Sequence, residues 1–437
     1  MHAEVLRPGV RKRELVGWAL FDFANSGYTT VVITAVFNAY FVSVVAGGEQ
    51  WATFAWTATL ALASLIVAVL SPLLGAWADA HSARKRLLAA STLGCVVSTA
   101  LLALAGPGAL VTAIVLVVVS NVCFGIGETF IASFLPDLAE PEAMGKISGW
   151  GWGLGYFGGM LTLGLSLAWL LTAPERGSNA GAAVPDTMLV TAAIFALASL
   201  PTFLLLRERP RDPSREGGPR GTAPEMALRP TVWQQVRTSV AALGQFPDLR
   251  ALLVCTACYQ AGISVVIALA AVYATQQMGF SQTDTMMLVF AVNIASAGGA
   301  FAFGPFQDRV GHRRALAVTL CGWIVMVLVA VIGQTQASFW VAATLAGLCM
   351  GSSQSCGRAM VGFLSPPMRS GEFFGLWSLA LRIAAIVGPL AYGAVTWVTG
   401  GEHRIALLAT GLFFVIALGL LRTLDMERGR RAAVQRL

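Results

Sequence analysis

Long apolar runs broken by short polar turns set the character of this chain. Twelve runs can be marked, at about 15–43, 52–79, 87–106, 109–136, 147–173, 187–206, 251–275, 285–307, 315–334, 338–364, 373–399 and 405–424. Most reach the roughly 20 residues that a helix needs to cross a hydrocarbon core of ~30 Å. The pattern predicts an all-α integral membrane protein with about twelve transmembrane helices. The first run is too long for the apolar core of a signal peptide and lacks a small-residue cleavage site, so it reads as a retained helix. A stretch rich in Pro, Gly and Arg, about 207–229, separates the sixth run from the seventh. After it, Val232, Val236 and Val240 share one helical face. The segment 230–243 is either an amphipathic helix on the membrane surface or an extension of the seventh span. The expected organisation is a six-helix bundle at 1–206, a linker at 207–246 and a second six-helix bundle at 247–437.

Composition agrees. Hydrophobic residues make up 56% of the chain and charged ones 12%, more apolar than a soluble domain of this length needs. The basic residues also give an orientation. Of 29 Lys and Arg, 25 fall in tails and turns on one side of the twelve runs. Arg176 and Arg404 fall on the other side, and Arg358 and Arg382 lie inside runs. The positive-inside rule places the basic side, with both termini, in the cytoplasm. The net charge of +7 is explained in this way and calls for no nucleic-acid partner. Three Lys against 26 Arg, with abundant Ala and Gly, suggest a GC-rich bacterial genome and hence a multi-pass protein of the bacterial cytoplasmic (inner) membrane. All seven Cys lie within runs, so no disulfide framework is implied. Cys255 and Cys258 form a CxxC that reads either as a redox or metal pair or as small packing residues. The four His lie in tails or turns, which leaves no intramembrane His metal site. No phosphate-binding GxxxxGK[ST], GxSxG or HExxH occurs, so no ATP-driven or hydrolytic step is visible and no cofactor or metal is expected.

One turn occurs twice. GPFQDRVGHRR at 304–314 and a weaker copy, GAWADAHSARKR at 75–86, each sit between two apolar runs, and the offset of 229 residues is about half of 437. A charged turn repeated once per half implies a duplicated membrane protein. The later copy resembles the GxxxDRxGRR turn of the major facilitator superfamily at Gly304, Asp308, Arg309, Gly311 and Arg313. The earlier copy keeps Gly75, Asp79 and the basic cluster Arg84, Lys85, Arg86. A narrower resemblance covers almost the whole chain. GWALFDFANSGYTTVV (17–32), FLPDLA (134–139), SGWGWGLGYFGG (148–159), QSCGR (354–358) and GEFFG (371–375) are similar to hallmarks of the facilitator family that includes the autophagy-related vacuolar amino-acid effluxers of fungi and many bacterial members. The resemblance implies a secondary transporter whose two bundles rock about a central site, with the first and fourth helices of each bundle lining the cavity. It suggests amino-acid efflux.

An ionisable group inside a span costs ~2.5–3.5 kcal/mol at the helix centre, so each needs a reason. Trp18, Asp22, Asn25 and Thr29 form one stripe of the first helix. Asp22 is either a ligand or protonation site in the cavity, or is fixed by helix–helix hydrogen bonds. Asn121, Gly125, Glu128 and Ala132 share a face of the fourth span, as do Gly347, Gly351, Gln354 and Arg358 of the tenth. Adding the repeat offset to Glu128 lands within one residue of Arg358. A Glu128–Arg358 gate is therefore expected; the alternative pairs Arg358 with Glu372. Arg382, near mid-membrane, is either an anchor for a substrate carboxylate or phosphate, or the ion-pair partner of Asp22. Thr256, Gln260 and Ser264, with Tyr259 beside them, form a polar stripe of the seventh span. Gly151, Gly155 and Gly159 make a flat strip for helix packing, with Ala295 and Gly299 of the eighth span as its expected mate. Trp150, Trp152 and Tyr156 either wall a cavity or cover the helix.

The turn aspartates have a role of their own. Asp79 should sit at the start of the eleventh helix near Gly371, and Asp308 at the start of the fifth near Ser148, each meeting free N–H groups and a positive helix end.

These readings give substrate binding to Trp18, Asp22, Asn25, Tyr156, Gln260, Gln354 and Arg382, and proton coupling to Asp22 and Glu128. Gating falls to Asp79, Arg84, Glu128, Asp308, Arg309, Arg313 and Arg358. The expected partners are a small polar substrate, a co- or counter-transported proton and the lipid bilayer, and the expected state is a monomer. An exporter of drugs or metabolites is the competing transport reading, and a non-transporting membrane sensor the remaining one.

Overall fold

A computed structural model of the protein describes residues 5–177, 179–209, 241, 243–333 and 335–435. The linker and the segment 230–243 fall almost wholly outside these residues. Twelve long helices cross the molecule: α1 (Lys12–Val45), α2 (Ala52–His81), α3 (Arg84–Leu101), α4 (Leu110–Ser133), α5 (Met144–Leu171), α6 (Ala180–Leu205), α7 (Pro247–Met278), α8 (Gln282–Val310), α9 (His312–Ile332), α10 (Gln336–Leu364), α11 (Ser370–Val398) and α12 (His403–Leu421). Eleven of them are long and apolar enough to cross a membrane. The exception, α10, has the length, at 29 residues, but carries Ser352, Ser353, Gln354, Ser355 and Arg358 in its second half. A short thirteenth helix, α13 (Met426–Gln435), follows.

Each half has its own apolar core. One is built on Trp18, Phe21, Tyr28, Phe130 and Phe134, the other on Tyr259, Trp323, Phe373, Trp377 and Phe414. Large apolar side chains such as Phe54, Leu104, Leu204, Ile332 and Trp397 face outward, as lipid-facing surfaces require. The two halves meet chiefly where α2 packs on α11 and α5 on α8. Close approach makes glycine necessary there. A Cβ on Gly75 would overlap the Gly371 carbonyl, and one on Gly149 would overlap the Ala300 carbonyl.

Both chain ends lie on the face that carries the two charged turns, here the turn face. Arg7 donates to the Leu138 carbonyl at 3.0 Å, and Arg428 of α13 pairs with Asp248 at the start of α7 at 2.7 Å. The far half of α1 is irregular. It is α-helical to Tyr28 and then widens into π-helical turns at Thr29–Ala35 and Phe41–Val45. The run Thr29 to Thr34 is wholly β-branched, which crowds an α-helix. The Thr34 hydroxyl also donates to the Thr29 carbonyl five residues back at 3.0 Å.

Candidate functional site

Between the halves lies a cavity of about 500 Å³. It reaches from Asp22, Glu128, Arg358 and Arg382 at its floor toward Ala35, Tyr273, Thr285 and Phe339 near the far face. The floor is a four-charge cluster supplied by four helices. Arg358 of α10 donates to Asp22 of α1 at 2.7 Å. Arg382 of α11 donates to Glu128 of α4 at 3.1 Å. Both pairs cross from one half to the other.

This corrects the expected Glu128–Arg358 gate. The repeat offset gives depth along the membrane but not direction around the helix axis, and at that depth α10 faces α1 and α5 while α11 faces α4. The alternative partners fail too. Glu372 is held by Arg369 at 2.8 and 2.9 Å, and Arg382 reaches Glu128 rather than Asp22.

The two pairs differ in surroundings. Arg358 is 3% exposed and its other donors are spent on Ser148 of α5: Nε on the hydroxyl at 3.1 Å and Nη2 on the carbonyl at 2.8 Å. Its guanidinium also lies over the rings of Trp18 and Trp152, at 4.7 and 5.5 Å. Beside it the Ser148 hydroxyl donates to the Ser355 carbonyl at 2.8 Å. Glu128 is 26% exposed and Arg382 15%, and Arg382 Nε is buried with no hydrogen-bond partner in the protein. Asn25 Oδ1, Trp152 Nε1, the Tyr156 hydroxyl and Trp377 Nε1 are in the same condition, and all five residues line the cavity. A buried polar group left unpaired costs ~1–3 kcal/mol, so water or a solute in the cavity has these atoms to bond.

Other residues singled out from sequence divide. Asn25, Thr29, Trp152, Tyr156, Gln260, Ser264 and Gln354 line the cavity with the four charged residues. Trp18 does not; it lies beneath Arg358 and donates to the Ile131 carbonyl at 2.8 Å. Thr256 and Tyr259 turn into the second core. Trp150 lies under the Lys146 ammonium at 5.1 Å. Gly151, Gly155 and Gly159 pack on α1, where added Cβ atoms would meet Asp22, Ser26 and Thr30, rather than on α8. The α5 glycines that face α8 are Gly145, Gly149 and Gly153, and Gly299 packs instead on Leu348 of α10. Cys255 is a buried packing residue whose thiol donates to the Ala417 carbonyl at 3.3 Å.

At the turn face each aspartate caps a helix of the opposite half. Asp79 accepts from the N–H groups of Gly371 and Glu372 at 3.1 and 2.9 Å. Asp308 accepts from Gly145 and Lys146 at 2.9 and 2.8 Å. The basic residues beside them stay within their own halves. Arg84 is buried, pairs with Asp137, donates to the Ser133 carbonyl at 2.8 Å and lies 3.7 Å from Glu208. Arg313 donates to the Leu424 carbonyl at 3.1 Å, and Arg309 is exposed. Among the described residues no group of His, Cys, Asp and Glu is placed to hold a metal ion.

Twelve long helices in two halves among the described residues, a charged cavity between them and helix caps exchanged across the seam define a transporter of the major facilitator class. Solved structures agree on the fold: the Escherichia coli fucose:proton symporter FucP (TM-score 0.71, 14% identity, 94% of this chain and 98% of that one) and the human organic anion transporter MFSD10 (TM-score 0.69, 16% identity, the same coverages). Within that class, the chain belongs to the family described as "Vacuole effluxer Atg22 like", whose sequence model matches residues 39–434. It is 25% identical to the uncharacterized MFS-type transporter YxiO of Bacillus subtilis over 94% of both chains. It is 24% identical to autophagy-related protein 22-1 of Penicillium rubens over 66% of this chain, spanning about half the length of that fungal relative (50%). The protein is thus a multi-pass membrane protein that carries out secondary transport.

Proposed function

We propose that this chain is an amino-acid transporter of the bacterial cytoplasmic membrane, with both termini in the cytoplasm and a proton as coupling ion. The observation that carries the reading is one cavity lined by two acids, two arginines and five unpartnered polar atoms. A zwitterion offers both charges that such a cavity can take. Arg382 presents a planar fork to a carboxylate, Asn25 Oδ1 and Asp22 offer acceptors to an ammonium, and Tyr156, Gln260 and Gln354 orient the solute. Asp22 and Glu128 are the residues for proton coupling. Asp79, Asp308 and the Asp22–Arg358 pair close the turn face, while Arg84, Arg309 and Arg313 anchor its turns.

Direction needs care. The family description concerns a vacuole, and emptying a vacuole delivers solute to the cytoplasm. The same cycle at a cell-surface membrane is uptake. We therefore propose inward movement in place of the expected efflux from the cell.

A second reading, transport of amphipathic drugs or metabolites, is favoured by the apolar wall that Val266, Ile267, Leu288, Val292, Met350 and Leu381 add from the second half. Counterflow into proteoliposomes separates the two. Labelled amino acids should accumulate in vesicles preloaded with the unlabelled mixture, and Arg382→Ala should abolish it. Counterflow of apolar drugs alone, unchanged by that substitution, would replace the amino-acid reading with the second. Reporter fusions at each end test orientation; a periplasm-active enzyme that works at either terminus overturns it.

A further inference from the structure

The two ion pairs are unequal, and the inequality assigns them different work. The Asp22–Arg358 pair is closed. Every donor group of Arg358 has a partner on α1 or α5, two indole rings cover it, and Ser148 ties it to Ser355. A solute arriving in the cavity meets an Arg358 that is 3% exposed and already bonded at all three nitrogens. The Glu128–Arg382 pair is open. One hydrogen bond at 3.1 Å joins it, both groups are partly exposed to the cavity, and Arg382 Nε has no partner in the protein. Gly125 lets the Arg382 guanidinium lie against α4; a Cβ there would come within 2.8 Å of Nη2.

We propose that Asp22–Arg358 holds the turn face shut, whereas Glu128–Arg382 is the exchange pair, in which an anionic group of the solute takes Arg382 and Glu128 takes a proton. This rests on the transport reading above and adds which acid couples. The charged groups around Glu128 are Arg382 from α11, Asp22 from α1 and Arg358 from α10, with the Tyr28 hydroxyl of α1 near Arg382 and held by Ser120 at 2.8 Å. Arg358 is committed to Asp22, so when the solute's carboxylate replaces Glu128 on Arg382, Glu128 has no cation left. A lone carboxylate in an enclosed site is neutralised by a proton. That proton comes from water on the far face and leaves to water on the turn face when Glu128 re-forms its bond to Arg382. Solute and proton therefore occupy the carrier together and move in the same direction, one proton per solute. The empty carrier returns with Glu128–Arg382 made, and Asp22–Arg358 re-forms as the turn face closes.

The test uses the full chain in proteoliposomes with a pH dye in the lumen and an equimolar mixture of the twenty amino acids as probe. Addition outside should acidify the lumen in the wild type. Glu128→Gln, which mimics the protonated acid, should keep counterflow of the labelled mixture within about twofold and lose acidification. Wild-type counterflow without acidification, or acidification retained in Glu128→Gln, would overturn the coupling role while leaving amino-acid transport standing. Absence of any wild-type counterflow would instead remove the amino-acid reading. A second measurement then decides the division of work without a solute: amide hydrogen exchange at 144–150 and 370–376. Asp22→Asn should speed exchange there roughly tenfold, and Glu128→Gln should leave it within about twofold. Equal acceleration by both variants, or none by Asp22→Asn, would overturn the division. Exchange in α12, which holds no member of either pair, separates local opening from general unfolding.

Discussion

Arg358 shows how one side chain can join three helices. Its guanidinium has an acid, a hydroxyl, a carbonyl and two rings around it, so almost none of its charge faces water. Removing one partner of such a pair leaves the other charge buried, which costs ~3–5 kcal/mol. Arg358→Ala is therefore expected to lower the unfolding temperature of the detergent-solubilised protein more than Asp22→Asn, because Asn still offers an oxygen to the guanidinium. The Asp22→Asn/Arg358→Ala double variant should lose less than the sum of the two single changes, since the charges disappear together. Additive losses would mean that the pair contributes no coupling. Gly151→Ala belongs to the same site: its Cβ would lie within 2.6 Å of Arg358 Nη2 and 2.8 Å of the Trp18 ring. It should behave like loss of the ion pair, whereas Gly164→Ala, with open space around it, should be near neutral. The acids and arginines were legible in sequence because a charge in an apolar run stands out. Their pairing was not, since helical periodicity orders residues along one helix and says nothing about which neighbour lies opposite. Ser148 and Trp377 were invisible as site residues for a related reason: a serine or an indole carries no signal until its surroundings are known.

Among elements, the strongest sequence signal was the repeated turn, and its physical purpose is plain in the helix starts it meets. Asp79 caps α11 where expected, at Gly371. Asp308 caps α5 at Gly145 and Lys146, three residues before the expected Ser148, because a 3₁₀ turn at Pro141–Ala143 leads directly into the helix. A carboxylate at a helix N-terminus contributes ~0.3–1 kcal/mol when exposed and up to ~2 when partly buried. Separating the halves at the turn face would break both caps, a bias of a few kcal/mol at most. That is enough to shift populations and too little to lock them. Asp79→Asn/Asp308→Asn should lengthen the spin-label distance between the exposed positions Ser82 and Thr423, one in each half, with each single change giving a smaller shift. An unchanged distance distribution in the double variant would remove the caps from gating. The glycine strip of α5 was legible as packing but not in its mate: one face of α5 rests on α1 and the other on α8, and both faces are small.

For the whole molecule, the cavity is divided between the two halves. The first half supplies Asp22, Asn25, Ser26, Thr29, Thr30, Thr34 and Glu128, and the second supplies most of the apolar wall. The wall includes Ala343 and Ala346 of α10, small residues in contact with the space. Their size sets how large a solute side chain can lie there once its charged end is on the floor. Ala346→Phe adds a ring to that wall and leaves the four charges untouched. Discrimination in an apolar pocket runs at ~1–3 kcal/mol per methylene-sized change, about 10–200-fold. Uptake of amino acids with bulky apolar side chains should therefore fall by at least tenfold relative to glycine, with glycine transport nearly unchanged. The effect should be in KM, since the added ring excludes the solute from the site and does not touch the rocking interfaces at α2–α11 and α5–α8. An equal loss for glycine and for bulky solutes would place the side chain elsewhere, along the polar face of α1, and would give the apolar wall to the sliding of the halves rather than to recognition.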